Sequence, residues 1–506
     1  MLERYLKMIL NSRVYDVAIE TPLVIADRLS ERLGNTVWFK REDLQPVHSF
    51  KLRGAYNKIA GLSDQECENG VIAASAGNHA QGVALGAARR GIKALIIMPR
   101  TTPSIKVESV RRLGARISLS GDAYDDAYAH AASLAQEKGM TFIHPYDDPA
   151  VIAGQGTIAL EILREHQGDL HAIFVPVGGG GLIAGIAACV KALQPAVKVI
   201  GVEPDDSPCL FEALKQKRRV LLDRVGIFTD GVAVRQAGKE PYRIARQHVD
   251  EVILVSTDEI CAAIKDIFDE CRSIVEPAGA LAVAGIKKYV ERTGITDAGL
   301  VAINSGANIN FDRLRHVSER AEIGENREVL LAVTIPEEPG SFRRFCQALG
   351  RRGITEFNYR YADTRQAHVF AGVKLDDGEK ERDAIIERLR AEGYPVEDLT
   401  DSEIAKLHIR YMVGGHAVGL KDELIYRFQF PERPGALLEF LTSMGKRWNI
   451  SLFHYRNHGA DYGRVLVGIQ VPADSRKDFQ RFLDDLGYGC WEESDSRAYH
   501  LFLGES

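Results

Sequence analysis

The sequence predicts an α/β protein with an open, mostly parallel sheet, followed by two small α+β modules. Three observations carry that expectation. Short, nearly continuous apolar runs alternate with longer amphipathic stretches through the first part of the chain. Polar or glycine-rich segments directly follow several of those runs. Two blocks of sequence recur, in the same order, towards the C-terminus.

The runs Val71-Ile72-Ala73-Ala74, Ala94-Leu95-Ile96-Ile97, Ala172-Ile173-Phe174-Val175, Val197-Lys198-Val199-Ile200-Gly201-Val202 and Leu300-Val301-Ala302-Ile303 read as strands covered on both faces. Helical patterns such as Ala80 to Arg90 and Ile183 to Leu193 lie between them. In the tail, Pro336-Glu337-Glu338-Pro339-Gly340-Ser341-Phe342 returns as Pro431-Glu432-Arg433-Pro434-Gly435-Ala436-Leu437. Ile354-Thr355-Glu356-Phe357-Asn358-Tyr359-Arg360 returns as Ile450-Ser451-Leu452-Phe453-His454-Tyr455-Arg456. The two offsets differ by one residue, as duplication followed by drift would leave them. Each copy reads as strand (Leu330 to Ile335; Leu424 to Phe430), Pro-Gly turn, helix and strand. The expected domains are residues 1–320, 328–402 and 423–495, with the charged, glycine-containing stretch Arg320 to Arg327 as a linker.

At 506 residues the chain is too long for one hydrophobic core. Its formal net charge is −6, without a basic stripe, which argues against nucleic-acid binding. No apolar run approaches the roughly 20 residues that span a bilayer. Met1 to Val17 lacks the apolar stretch and small-residue cleavage site of a secretory signal, so a cytoplasmic protein with no membrane partner is expected. Seven scattered cysteines without a Cys-x-x-Cys pair point to reduced thiols and no zinc site.

Chemistry concentrates in four places. Lys51 sits in Ser49-Phe50-Lys51-Leu52-Arg53-Gly54-Ala55, framed by apolar neighbours. A lysine drawn out of water loses basicity and can attack a carbonyl, then act as a base. Three loops follow predicted strands: Ser75-Ala76-Gly77-Asn78-His79-Ala80-Gln81-Gly82, Gly178-Gly179-Gly180-Gly181-Leu182, and Asn304-Ser305-Gly306-Ala307-Asn308. Open parallel sheets bind ligands beyond the carboxyl ends of their strands, so these loops can share one crevice. The four glycines form a phosphate cup ahead of a helix. A Walker loop is excluded, because no Gly-Lys-Ser/Thr follows. A looser dinucleotide fingerprint (Gly179, Gly181, Ala184, with Glu203 beyond the next strand) stays open on this segment alone.

Together, Ser49-Phe50-Lys51, Ser75-Ala76-Gly77-Asn78-His79 and Gly178 to Gly181 resemble the tryptophan-synthase-β group, the fold type II enzymes of pyridoxal phosphate, in order and spacing. The resemblance implies that Lys51 forms the Schiff base and removes the Cα proton. It further implies that Asn78 orients the ring through its O3′, that the amides of Gly178, Gly179, Gly180, Gly181 and Leu182 hold the phosphate, and that Ser305 faces the pyridine nitrogen. A hydroxyl there disfavours a long-lived carbanion and suits β-elimination. Ser75, Gly77, Asn78 and His79 are expected to grip the substrate carboxylate, with His79 a structural member of that loop. Ser49 stands as support for the phosphate or the substrate. Glu276-Pro277-Ala278-Gly279-Ala280 also resembles a family segment and receives no chemical role. Glu203-Pro204-Asp205-Asp206-Ser207-Pro208-Cys209 lacks a convincing ligand set, so no metal is expected.

The duplicated tail resembles ACT-like sensor modules. Such a core with two such modules resembles the biosynthetic threonine deaminase (threonine ammonia-lyase) family nearly end to end, including Tyr411-Met412-Val413-Gly414-Gly415. The implied reaction takes L-threonine, with L-serine as a second candidate, to 2-oxobutanoate and ammonia, the first committed step of isoleucine biosynthesis. Isoleucine as inhibitor, valine as its antagonist and a homotetramer are implied likewise. Phe357, Tyr359, Phe453 and Tyr455 are the effector-site candidates. Another type II β-eliminating or β-replacing enzyme is the nearest alternative, and a sensor with an inactive core the alternative from another class.

Overall fold

The computed structural model describes residues 1–336, 344–345, 348–349, 352, 354–359, 366–411, 422–431, 440, 443–444, 447–456 and 462–503. The chain divides into two compact units, Met1–Ala321 and Glu322–Ser506.

In chain order, the strands of the first unit are β1 (Leu23–Ile25), β2 (Thr36–Arg41), β3 (Val71–Ala74), β4 (Ala94–Met98), β5 (Arg116–Leu119), β6 (Thr141–Phe142), β7 (Ala172–Pro176), β8 (Lys198–Pro204), β9 (Glu251–Val255) and β10 (Gly299–Asn304). They form a six-stranded sheet ordered β1-β2-β10-β7-β8-β9 and a four-stranded sheet ordered β5-β4-β3-β6. β1 is antiparallel to β2, and the other neighbours are parallel. The period-two pleat sorts side chains into two cores. Phe174, Ile200, Val202, Leu300 and Ala302 pack with the helices Thr257–Cys271 and Pro277–Thr293. Ile173, Val175, Val199, Val301 and Ile303 pack with Pro149–Glu165 and Gly181–Leu193. Both faces are covered, which is why these strands carry no polar alternation.

Charge is buried beside β2. Arg53, on the helix Lys51–Ala60, is clamped between Glu42 (2.8 Å) and Glu161 (2.5 Å), and Lys40 of β2 pairs with Glu161 at 2.8 Å. All four side chains are inaccessible to solvent. Ions out of water survive only with full pairing, so each partner is required once the others are present. The helix carrying Lys51 is thereby tied to β2 and to Pro149–Glu165. Its approach to the latter is close: a Cβ on Gly154 would stand 2.7 Å from the Arg53 carbonyl oxygen.

The boundary between the two compact units falls inside the stretch Arg320 to Arg327, as expected of a linker, but the stretch begins as helix. Arg313–Gly324 is one helix. Val317 and Ala321, one turn apart, are buried, and the buried Arg320 pairs with Asp258, so helix continues where charge suggested coil.

The second unit contains β11 (Glu328–Pro336), β12 (Ile354–Tyr359), β13 (Gln366–Lys374), β14 (Val396–Asp398), β15 (Glu423–Pro431), β16 (Asn449–Arg456), β17 (Tyr462–Gln470) and β18 (Gly489–Glu492). Two antiparallel sheets result, β12-β13-β11-β14 and β16-β17-β15-β18, with the same strand order in each copy. The register slips at the same place in both, between Ile354 and Glu356 and between Ile450 and Leu452. One face of each sheet packs on its own module: Leu331, Val333 and Ala371 with Ile385 and Leu389, and Phe428, Val465 and Val467 with Phe479 and Phe482. The opposite faces share a single cluster, in which Leu330, Ala332 and Phe370 of one copy join Ile425 and Leu466 of the other. The turn motifs from Glu337 and from Glu432, and Met412-Val413-Gly414-Gly415, lie outside the described residues. Among the described residues, no helix is long and apolar enough to cross a membrane.

Removing Glu161 should strand Arg53 and Lys40. Glu161→Ala is expected to cost about 3–5 kcal/mol, read as a lowered urea midpoint for the first unit. An unchanged midpoint would show that water reaches the pair.

Candidate active site

Lys51 opens its helix. The preceding residue Phe50 donates its amide to the Ser305 carbonyl at 3.2 Å, and His48 accepts from Ala307 at 2.9 Å. His48 has a φ of +53°, a conformation costly for a non-glycine residue and held here by those backbone bonds. The Lys51 ammonium nitrogen donates to the Gly231 carbonyl at 3.0 Å. Burial lowers its pKa, against the opposing pull of Glu276 and Asp230. A larger fraction of neutral amine follows at any given pH, as a nucleophile or base requires.

Asp230, beside Gly231, is held ionised. Burial alone would raise its pKa, but Arg313 at 3.2 Å and Lys106 at 2.6 Å outweigh it. Glu276 goes the other way, because burial and the Asp230 charge raise its pKa from the ordinary carboxylate value. Opposed shifts in neighbouring groups mark a site organised around proton position.

The Ser75 loop turns from β3 into the helix Asn78–Arg90. Ser75 Oγ accepts from Gly77 and Ala80 amides, each at 3.3 Å. A Cβ at Gly77 would meet nothing within 4 Å, so the loop is open on that side. The amides of Asn78 and His79, in the first turn, have no intrahelical acceptor and suit an anion. Asn78 is fixed from both ends: its amide nitrogen donates to Glu276 at 2.6 Å, and its oxygen accepts from Asn308 at 2.7 Å. The His79 ring bonds the Ile143 carbonyl at 2.8 Å. Burial depresses its pKa to about 3, so the ring is neutral.

The glycine loop leads from β7 into the helix Gly181–Leu193. Gly180 has a φ of +90°, and a Cβ on Gly179 would lie 2.3 Å from the Tyr146 ring. Side chains are therefore sterically excluded, which leaves backbone amides and a helix N-terminus, a cradle for phosphate. The dinucleotide alternative loses its acid here. Both Glu203 oxygens accept backbone amides, from Leu210 and Phe211 at 2.8 Å, and burial raises its pKa to about 8. The neighbouring Cys209 thiol donates to the Gly178 carbonyl at 3.3 Å. Ser305 is buried after β10 and donates to the Ala278 carbonyl at 3.2 Å, while Ser49 Oγ faces the Lys51 amide at 3.4 Å.

A half-buried amine of lowered basicity, a phosphate cradle and an uncharged hydroxyl at the strand ends fit pyridoxal phosphate in donor type. Sequence reasoning missed Asp230, Gly231, Tyr146, Lys106, Arg313 and the bonding role of Asn308, and saw Glu276 without a role. Asn78 and Glu276 lie 198 residues apart; local spacing carries no signal of such pairs. Phe357 and Tyr359 lie on β12, Phe453 and Tyr455 on β16, and their side chains lie outside the described residues.

The His79 pKa has a consequence for stability. Its folded value lies below the unfolded one near 6.5, so the unfolded chain takes up the proton first and stability falls as pH drops from 6.5 towards about 3. The slope from this residue is about 1.4 kcal/mol per pH unit. His79→Gln, which can still donate to Ile143, should flatten the pH dependence of the urea midpoint in that window; an unchanged dependence would remove the assignment.

Comparison with known proteins agrees with this geometry. Residues 14–306 match the family described as pyridoxal-phosphate dependent enzyme, and residues 319–409 and 414–503 match the C-terminal regulatory domain of threonine dehydratase. The biosynthetic L-threonine dehydratase of Burkholderia multivorans is 57% identical, with 99% of each chain covered. That of Escherichia coli is 53% identical over 99% of this chain and 97% of its own. Among solved structures, the processed threonine deaminase isoform 2 of Solanum lycopersicum is 50% identical, covers 64% of this chain and 88% of its own, and superimposes with a TM-score of 0.63. With the lysine, the phosphate cradle and the paired regulatory modules in one chain, the protein belongs to the biosynthetic threonine dehydratases, fold type II enzymes dependent on pyridoxal phosphate.

Proposed function

We propose that the chain converts L-threonine to 2-oxobutanoate and ammonia, the first committed step of isoleucine biosynthesis, with L-serine as a second substrate. The observation that carries this reading is the half-buried Lys51 amine at a helix start, bonded to the Gly231 carbonyl and lowered in basicity.

Residues 1–320 form the catalytic domain in this reading. The amides of Gly178, Gly179, Gly180, Gly181 and Leu182 hold the cofactor phosphate, Lys51 binds its aldehyde carbon, Asn78 its ring oxygen, and Ser305 faces its nitrogen. When bound, pyridoxal phosphate supplies an electron sink for the Cα–H bond. The Ser75, Gly77, Asn78 and His79 segment takes the substrate carboxylate on its backbone amides. Lys51 accepts the Cα proton, which its burial favours. The β-hydroxyl takes up one proton and leaves as water, which balances the proton lost from Cα. Ser305 carries no charge with which to stabilise a proton on the ring nitrogen, which suits prompt loss of that hydroxyl. The released enamine tautomerises to an imine, and water hydrolyses it to the oxoacid and ammonia, so the water lost is regained.

The modules at 328–402 and 423–495 act as sensors for isoleucine, the inhibitor, and valine, its antagonist. Phe357, Tyr359, Phe453 and Tyr455 are the proposed contacts. The chain is proposed to work as a cytoplasmic homotetramer.

Lys51→Ala should abolish both the absorption band of the lysine–cofactor linkage and threonine turnover; retained turnover would remove Lys51 as the base. Full-length protein should form 2-oxobutanoate from threonine, and isoleucine should suppress it. A chain ending at Gly324 should keep turnover and lose that suppression, whereas persisting inhibition would place the effector site in the first unit.

A further inference from the structure

Beyond the groups already given roles, one buried carboxyl stands where the site's loops meet. Glu276 immediately precedes the helix Pro277–Thr293, makes no side-chain bond to its first turn and is 4% exposed. Its Oε1 accepts from Asn78 Nδ2 at 2.6 Å. Its backbone amide donates to the Gly306 carbonyl at 3.1 Å. A Cβ on Gly306 would lie 2.6 Å from the same Oε1, and one on Gly231 would lie 3.5 Å from it. Three segments therefore press on one oxygen: the loop bearing Asn78, the loop bearing Ser305, and the turn whose carbonyl accepts from Lys51.

The hydrogen bonds also fix which way Asn78 faces. Its Oδ1 accepts from Asn308 Nδ2, which donates as well to the Val47 carbonyl at 2.8 Å. Exchanging the oxygen and nitrogen of Asn78 would set donor against donor at Asn308, whose own amide nitrogen is held by the Val47 carbonyl. With Nδ2 committed to Glu276, one amide hydrogen remains for a ligand. A small apolar residue at 276 would leave Nδ2 buried without that acceptor.

We propose that Glu276 is a positioning residue of this active site, which acts through Asn78 to present the amide hydrogen that meets the cofactor ring oxygen. The inference rests on the assignment of Asn78 to that oxygen, and the experiment separates the two. Apoprotein of Asn78→Ala, Glu276→Ala, Glu276→Gln, Glu276→Leu and the double variant Asn78→Ala/Glu276→Ala is titrated with pyridoxal phosphate. The position of the absorption band of each resting holoenzyme is recorded without substrate.

Asn78→Ala is expected to weaken cofactor binding by about tenfold, and Glu276→Ala by a similar factor with a shifted band. Glu276→Gln, whose amide oxygen accepts the same bond, should return both to near the parent values. Glu276→Leu, which fills the volume without accepting, should resemble Glu276→Ala and serves where the smaller residue fails to fold. The double variant should bind no more weakly than Asn78→Ala alone, because the two residues act as one unit. Losses that multiply in the double variant would overturn the proposal, as would rescue by leucine but not by glutamine. No effect of Asn78→Ala would instead remove the assignment of Asn78 and the inference with it.

Discussion

The geometry of the site depends on one guanidinium out of water. Arg53 has no exposed surface and can remain charged only while Glu42 and Glu161 face it. Those carboxylates belong to the turn after β2 and to the helix Pro149–Glu165, so the pairing fixes the helix that begins at Lys51 relative to both. Lys51 precedes Arg53 by two residues on the same helix, so its backbone cannot shift far without loosening a buried ion. An apolar cluster of equal volume could hold the same elements together, but it would tolerate sliding, whereas hydrogen-bonded ions select one register.

Around Lys51 the same physics is applied with opposite signs. Burial drives the lysine towards its neutral form and Glu276 towards its protonated form. Asp230 stays ionised because Lys106 and Arg313 face it. The amine thus sits between a fixed negative charge and a carboxyl whose burial favours a proton, in a low-dielectric setting where each interaction is stronger than in water. His79, one residue from Asn78, is excluded from proton traffic by its bond to Ile143.

Much of this was readable in the sequence, for identifiable reasons. β3, β4, β7, β8 and β10 are buried on both faces, so their apolar runs stand out without an alignment. β2 was not seen because its buried end, Lys40 and Arg41, is charged, and composition alone assigns such residues to the surface. The edge strand β1, Leu23–Ile25, is apolar but only three residues long, and β5 mixes Arg116 and Ser118 with Ile117 and Leu119, so neither gives the longer buried run that marks the central strands. The helix that runs into the linker at Arg320 is hidden for the same reason as β2: a charge satisfied by a distant partner looks like a solvated one. Within the site, the glycine loop and Lys51 carry local signatures. Glu276, Asp230 and Lys106 acquire meaning only through neighbours distant in sequence, which spacing cannot encode.

The cluster shared by the two small sheets bears on how the C-terminal half can evolve. Leu330, Ala332 and Phe370 lie against the same buried patch as Ile425 and Leu466, so neither repeat has a surface of its own on that side. A gene that lost one repeat would leave the survivor with a greasy, aggregation-prone flank. The pair should therefore be inherited or discarded whole, and a change to the inner face of one repeat should select a compensating change in the other.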